Sequence, residues 1–447
     1  MDFKIFLNEL IGNYKEKELQ LIKKALLFAN EKHSGQVRKS GEPYIIHPIA
    51  VASMLVKLKA DADTVCAALL HDVIEDTDTT KEEISYIFNP DIAELVDGVT
   101  KIKNNEHSSK EEKKAAYIRK VTTSILKDVR IIIIKLMDRL HNMQTLEYQN
   151  HDKQVKIAKE TLDVYVPIAY YLGIYKIRFL LEDLSFKYLD LDNYKKIENM
   201  RDNIIEECNP LMLDMISLMN LELVNCNINA SFEKSTKNIY GIYKRIKNGS
   251  NILDISDILR VKIIVSNLME CYQVLGIVHK LFHPVHNKFK DYISTPKTNK
   301  YQSIHTTVYT NSNYLVQLQI RTNDMNDVNQ YGIINAWLNG EENSNISDYL
   351  CNNFPFLSVL KEINENYQND MEFMGKLQHD ILKDRVYITI GNGNVLELPC
   401  GYTLKDLCYK LGVDGSRLLV NNEKEDFNYV LKSNDFISFS KSKVKKK

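Results

Sequence analysis

Ala67-Ala68-Leu69-Leu70-His71-Asp72-Val73-Ile74-Glu75-Asp76-Thr77-Asp78 is the stretch on which the reading of this chain turns. As a helix it puts Leu69, Leu70, Val73 and Ile74 on an apolar stripe and leaves His71, Asp72, Glu75 and Asp76 on the polar side. A solvated surface helix has the same periodicity. The charges argue for something else. From Ala60 to Thr80 there is no Lys or Arg, while Asp61, Asp63, Asp72, Glu75, Asp76 and Asp78 all fall there. Asp72 and Asp76, four residues apart, repel along a helix face, and no basic side chain in the segment relieves them. A bound cation does relieve them, and an adjacent His-Asp pair offers that cation an imidazole and a carboxylate.

The 447 residues suffice for two or three domains, each with its own core. A net charge of −1 gives no global pull toward DNA or an acidic membrane, so any anion site must be local. Scarce Gly and Pro (16 and 9) favour a helix-rich fold with few hairpins. The seven Cys are scattered and never spaced C-x-x-C, which fits reduced thiols and no zinc ribbon. The N-terminus lacks the basic-then-apolar order of a signal peptide. The densest apolar run, Ile131 to Ile134, lies between Arg130 and Lys135 and cannot span a bilayer. The expectation is a cytoplasmic protein with no membrane or DNA partner.

Residues 1–195 read as consecutive helices. Leu19 to His33 is one, Gln36 to Tyr44 is a loop by its Gly and Pro, and His47-Pro48 opens another helix. A polar connection is expected over 104–114, then one helix from about Lys113 to Gln144 in which the four Ile are buried on more than one side. Glu160 to Tyr188 and Lys195 to Met219 are further helices. Over 196–340 short β-branched runs (Ile258 to Val265, His305 to Thr310, Leu315 to Thr322) with the helix Met269 to Phe282 predict an α+β or α/β domain with a small mixed sheet. A low-complexity stretch, Asn339 to Asn353, opens a helical linker over 341–383. Residues 384–440 form a small β-rich module with a Gly-Asn-Gly-Asn turn at its first hairpin, and 441–447 is a frayed basic tail.

His47 at a helix start and Asp138 late in an apolar helix join the His71-Asp72 pair, with Asn142 one turn beyond Asp138. Singly each has a dull explanation. Together they give two imidazoles and two carboxylates from three helices, a mixture suited to a borderline divalent ion with open positions for water.

Three ordered motifs, His33-Ser34-Gly35-Gln36-Val37-Arg38-Lys39-Ser40-Gly41-Glu42-Pro43-Tyr44-Ile45-Ile46-His47-Pro48, Leu70 to Thr77, and Asp138-Arg139-Leu140-His141-Asn142-Met143, closely resemble the HD hydrolase domain of the RelA/SpoT homologues, which make and degrade the alarmone (p)ppGpp. The resemblance implies that His47, His71, Asp72 and Asp138 hold a metal, manganese in this family, and that Glu75 and Asp76 act on the water and the leaving group. A divalent ion lowers the pKa of water to roughly 7 to 9, which supplies a nucleophile for the 3′-diphosphate and releases pyrophosphate and GDP or GTP. Arg38 and Lys39 are the dense positive charge nearby, suited to phosphate or to stacking on guanine, and Asn142 and Thr145 are candidates for the ribose.

The resemblance continues through Glu160-Thr161-Leu162 and Glu182-Asp183-Leu184, as linking helices, into the nucleotidyltransferase-like synthetase domain. Phe289 to Ile293, Pro296-Lys297, Tyr301 to Thr306 and Gln319-Ile320-Arg321-Thr322 match there. It implies a phosphate-binding loop with Lys288, Lys290, Lys297 and Lys300, beside Lys237 and His305, and stacking of the acceptor guanine on Tyr301. Asp257 matches a Mg²⁺ ligand, but the expected partner Glu is Gln317, and Tyr314 to Thr322 contains no acid. An amide cannot take a proton from a hydroxyl, and losing a general base typically costs about 10²- to 10⁴-fold in rate. Ser235 stands where the family has an Arg, and Asn335-Ala336-Trp337 replaces Ala-His-Trp. The C-terminal module, with Glu397-Leu398-Pro399 and Gly401-Tyr402-Thr403, resembles the family's TGS domain (a β-grasp-like fold), with the later regulatory domains missing.

The expected function is therefore a (p)ppGpp 3′-pyrophosphohydrolase using Mn²⁺, with an inactive synthetase domain. Guanine nucleotides are its ligands, and a ribosome or regulatory protein is a candidate partner of the TGS-like module. The alternatives are a bifunctional enzyme that also needs Mg²⁺, and a catalytically silent alarmone- or ribosome-binding regulator. The intact set at 47, 71, 72, 75, 76 and 138 argues against the silent one.

Overall fold

Around His71 the chain does not form one helix. The helix Ala62–Leu70 ends at His71, and a single turn, Val73–Asp76, starts after Asp72, whose φ of −98° and ψ of −6° sit at the edge of the helical region. The His71 ring folds back so that Nδ1 lies 2.7 Å from the Ala68 carbonyl, the acceptor that a continuing helix would offer to the Asp72 amide. The polar face is only half turned to solvent. Every residue from Val65 to His71 is buried, while Glu75 and Asp76 reach the surface. The computed structural model describes residues 3–100, 109–297, 299–310, 314–339, 354–382, 385–391, 395–413, 418–432 and 435–439. Most of the Asn339 to Asn353 stretch, part of the Gly-Asn-Gly-Asn turn and the basic tail lie outside them.

The chain divides into two compact units, Met1–Met371 and Glu372–Lys447. In the first, the buried helix Ala62–Leu70 is packed by the helices Glu16–Lys32, Ile46–Lys57, Pro90–Val99 and Val129–Gln144. The helix expected from Lys113 to Gln144 is two helices. Asp128, extended at φ −153°, ends Lys110–Lys127 and caps Val129–Gln144 by accepting from the Arg130 amide. Ile131 to Ile134 are all buried, as a helix enclosed on more than one side requires. The connection expected to run to residue 114 ends sooner, because Ser109 and Glu112 form a capping box that starts the helix at Lys110. Residues 104–108 lie outside the described residues.

The expected helix Glu160 to Tyr188 is likewise interrupted. A π-turn at Thr161–Tyr165 runs into Val166–Tyr171, Gly173 at φ +72° breaks the chain, and Tyr175–Leu189 follows. The next helix, Leu191–Asn225, is longer than the sequence pattern indicated and packs against a five-stranded sheet. Its strands are β1 (Ser231–Thr236), β2 (Leu259–Val265), β3 (Lys290–Asp291), β4 (Ile304–Tyr309) and β5 (Leu315–Thr322), in the order β1-β2-β5-β4-β3. Only β2 and β5 are parallel, paired from Leu259↔Val316 to Val265↔Thr322, and the helix Leu268–Leu281 packs on β5. The strand β1, which sequence reading missed, is an edge strand with mostly polar, partly exposed residues and no clean alternation.

Two devices fasten the helical part to this sheet. The Asp183 carboxylate accepts from the amides of Ile239 and Tyr240 at 3.1 and 2.9 Å, capping the helix Ile239–Lys247 from a different segment of the chain. Gly332, at φ +54°, lets the Ile333 amide reach the Leu172 carbonyl at 2.8 Å, beside Gly173. The second unit holds a four-stranded sheet of β6 (Arg385–Ile390), β7 (Val395–Pro399), β8 (Leu418–Val420) and β9 (Phe436–Phe439), ordered β7-β6-β9-β8 with β6 and β9 parallel. The helix Leu404–Leu411 closes its core through Leu404 and Leu407. Among the described residues no helix is long and apolar enough to cross a membrane.

A Cβ on Gly332 would lie 2.1 Å from the Leu172 carbonyl oxygen, a backbone atom that cannot step aside. Gly332→Ala is therefore expected to destabilise the first unit by about 1–3 kcal/mol or more, measured by urea unfolding. An unchanged midpoint would show that this junction is not held closely.

Candidate metal centre

The helix Ile46–Lys57, the break at His71-Asp72 and the helix Val129–Gln144 deliver His47, His71, Asp72 and Asp138 to one place. His47 Nε2 is 3.2 Å from Asp138 Oδ1 and 3.7 Å from Asp72 Oδ2, and His71 Nε2 is 3.1 Å from Asp72 Oδ2 and 3.9 Å from Asp138 Oδ1. His47, His71 and Asp138 each offer a ligand atom within 4.8 Å of the other two. The two His rings meet edge to face at 5.1 Å.

The donor set fits a divalent cation. A carbonyl can only accept, so the His71 Nδ1 beside Ala68 O carries a proton. Its Nε2 is buried without a hydrogen-bond partner, and carboxylate oxygens from two segments crowd it and the Nε2 of His47. Such a group is costly to bury unless something positive completes it. Lys135, itself buried, compensates in part from behind, with Nζ 3.3 Å from the outer oxygen of Asp138. Burial lowers the His47 pKa. For Asp138, burial is outweighed by Lys135 and the two imidazoles, which hold it well below the usual carboxylate range. At His71, burial is outweighed by Asp72 and Asp138, and its pKa rises to about 9.

Above this group lies the loop Gln36 to Tyr44. The Tyr44 hydroxyl is 2.8 Å from Asp72 Oδ2 and 2.7 Å from Asp76 Oδ2, so one phenol ties a candidate ligand to a surface acid. His33 stacks on the Tyr44 ring at 4.6 Å, and Gln36 donates to the Asp76 carbonyl. The repulsion inferred between Asp72 and Asp76 is thus partly met by this hydroxyl, which a helix-face reading has no means to find. Arg38 donates to Asn142 Oδ1 and lies 3.2 Å from His141 Nδ1, and Asn142 donates to Asp138 Oδ1. Lys39 and Glu75 are exposed, and the Thr145 hydroxyl donates to the His141 carbonyl. Sequence reading passed over Tyr44, Lys135 and His141 as site residues. Only Lys135 left a signal, as a lone cation inside an apolar run three residues before Asp138.

The sheet carries a second polar cluster. Asp257, just before β2, has its Oδ2 at 2.5 Å from Lys237 Nζ and 3.5 Å from an Arg260 nitrogen. Burial is outweighed by these two cations, and the Asp257 pKa falls to about 2. Gln317 lies between Arg260 on β2 and Thr307 on β4, and its Oε1 accepts from Gln319. Tyr301 is 2.7 Å from His305 Nε2 and accepts from Arg321, with Lys297 over its ring at 4.9 Å. Lys290 pairs with His305 across β3 and β4, and Lys288 is exposed just before it. Lys300 takes a left-handed turn at φ +63°.

Residues 25–175 match the family described as HD domain, and residues 234–343 match the one described as a region found in RelA / SpoT proteins. The chain is 40% identical over 96% of its length to a protein of Aquifex aeolicus named guanosine-3′,5′-bis(diphosphate) 3′-pyrophosphohydrolase, of which it covers 62%. A protein of that name from Borreliella burgdorferi is 38% identical over 99% of the chain, and 67% of it is covered. A Myxococcus xanthus protein named GTP pyrophosphokinase is 37% identical over 95% of the chain, which spans 57% of it. The chain thus spans about six-tenths of the length of the curated relatives it matches.

Because His71 holds a proton up to about pH 9 in the ion-free protein, a cation must displace it. Below that pH the ion's affinity is expected to rise as pH rises, with close to one proton released per ion near pH 7.5. Calorimetry in two buffers of different ionisation enthalpy measures this. Identical heats in both would contradict it.

Proposed function

The chain belongs to the RelA/SpoT family, and from that premise we propose that it is a metal-dependent (p)ppGpp 3′-pyrophosphohydrolase. The observation that carries the reading is the buried His47-His71-Asp138 group, whose ring nitrogens and carboxylate offer ligand atoms within 4.8 Å of one another. The substrate is (p)ppGpp and the products are pyrophosphate and GDP or GTP, in line with the names of two relatives. Mn²⁺ is the proposed ion, held by His47, His71, Asp72 and Asp138. When bound it supplies Lewis acidity and makes water nucleophilic near neutral pH.

The chain's own residues do the rest. Water adds at the 3′-linked phosphorus, the bond to the 3′-oxygen breaks, and the proton lost by water returns to that oxygen. Glu75 and Asp76, one turn beyond His71-Asp72 and open to solvent, carry that proton. Tyr44 fixes Asp76 while they do so. Arg38 and Lys39 at the rim take the phosphates or stack on the guanine, and Asn142 and Thr145 take the ribose.

The synthetase-like domain is proposed to have lost pyrophosphate transfer. Asp257 is already neutralised by Lys237, and Gln317 supplies neither a proton acceptor nor an anionic Mg²⁺ ligand. Lys237, Lys288, Lys290, Lys297, Tyr301 and His305 remain as a basic, aromatic nucleotide surface. A bifunctional enzyme is the second reading, favoured by the relative named GTP pyrophosphokinase. The second unit, with its four-stranded sheet and the helix Leu404–Leu411 packed on it, is proposed to be a TGS-like module and the place where a ribosome or regulatory protein docks.

Purified protein with Mn²⁺ is expected to convert ppGpp to GDP and pyrophosphate. A chelator, or His71→Ala with Asp72→Ala, is expected to abolish this, and Asp76→Asn to slow it by about 10²- to 10⁴-fold. A Mn²⁺-loaded preparation that leaves ppGpp intact would overturn the reading. In a separate assay no pyrophosphate should pass from ATP to GDP or GTP. Transfer that Asp257→Ala abolishes would establish the bifunctional reading instead.

A further inference from the structure

His141 stands one turn beyond Asp138's neighbour Met137 on the helix Val129–Gln144, and its Nδ1 has two close partners. Arg38 Nη1 is 3.2 Å away and His47 Nδ1 is 2.8 Å away. A guanidinium has only N–H groups to offer, so His141 Nδ1 carries no proton, and its single in-plane lone pair is shared, in a three-centred bond, between Arg38 and the closer His47. An accepting Nδ1 has no proton to give to His47. The 2.8 Å contact therefore carries a proton that belongs to His47 Nδ1, and His47 is left with its lone pair on Nε2, toward Asp138 and Asp72.

That arrangement is not the one His47 would choose by itself. With Asp138 Oδ1 only 3.2 Å from Nε2, a neutral imidazole gains more by placing its proton on Nε2 and donating to the carboxylate. In that form Nε2 cannot bind a cation. Something must pay for the other tautomer, and the only acceptor recorded at His47 Nδ1 among the described residues is His141 Nδ1.

We propose that His141 is a positioning residue for the metal centre: its Nδ1 lone pair, pinned by Arg38, holds His47 in the Nδ1–H tautomer that leaves Nε2 free to ligate. This rests on the metal-centre reading above and adds a residue that the reading does not use. Arg38, expected from its position to meet phosphate, gains a second task as the group that keeps His141 an acceptor.

The test uses two variants of the full chain. His141→Phe keeps a ring of similar size and removes the acceptor, and His141→Asn returns an acceptor oxygen near the position of Nδ1. Nitrogen-15 spectra of the histidine-labelled, metal-free protein read the tautomer of His47 directly, and titration with Mn²⁺ alone reads affinity without any turnover. Native protein is expected to show His47 as Nδ1–H. His141→Phe is expected to move it toward Nε2–H and to weaken Mn²⁺ binding by about 10- to 100-fold, with His141→Asn recovering most of the loss. His47 as Nε2–H in the native protein overturns the proposal even if His141→Phe does not fold. Equal Mn²⁺ affinity in native protein and a folded His141→Phe overturns it as well. Native protein that binds no Mn²⁺ while His47 is Nδ1–H counts against the metal-centre reading, and leaves the tautomer lock standing.

Discussion

Two imidazole nitrogens and two carboxylates have been pressed together, and in the ion-free protein only the extra proton on His71 and Lys135 behind Asp138 balance the charge among the described residues. Burying that set costs free energy unless a cation completes it, since an unpaired buried charge is far more expensive than a paired one. The surrounding structure is arranged to hold it regardless. His71 is turned inward by its bond to the Ala68 carbonyl, which is also what ends the helix there. Asp138 is held on a helix whose Ile131 to Ile134 are enclosed on several sides, so it has little freedom to swing out.

The same helix carries a second constraint on its neighbouring face. Arg139, one residue after Asp138, reaches Glu160 and the Tyr165 hydroxyl at 2.5 and 3.0 Å, and Tyr165 in turn meets Tyr117 at 2.8 Å. That network sits at the π-turn Thr161–Tyr165, from which the chain runs on to Gly173 and the Asp183 cap. Asn299, beside the sheet's basic cluster, donates to the Tyr170 carbonyl and to the Tyr175 hydroxyl. The candidate metal centre and the cluster around Tyr301 are therefore joined by consecutive packed segments within one compact unit.

Much of this was legible in the sequence, and the exceptions have identifiable causes. The buried helix around Leu69, the strands β2, β4 and β5 and the helix Leu268–Leu281 follow from apolar periodicity, which packing only reinforces. The helix breaks at His71, Asp128 and Gly173 were not read, because each is made by one residue whose side chain or φ competes with the ladder inside an otherwise helical pattern. Edge strand β1 carries no alternation to read. At the site, His47, His71, Asp72 and Asp138 were named from residue type and order, and the structure brings all four together. Tyr44 and His141 were not, since their part depends on contacts across 28 and 94 residues of sequence that no local pattern encodes. Asp257 was singled out, but its capture by Lys237 is likewise a tertiary fact.

The central claim is that these four side chains form one cation site. Anomalous diffraction from crystals of the full chain soaked in Mn²⁺ tests it most directly. One strong peak is expected within about 2.0–2.3 Å of His47 Nε2, His71 Nε2 and an oxygen each of Asp72 and Asp138. A peak only at Asp257, or His47 and Asp138 turned away from the His71-Asp72 pair, would contradict it.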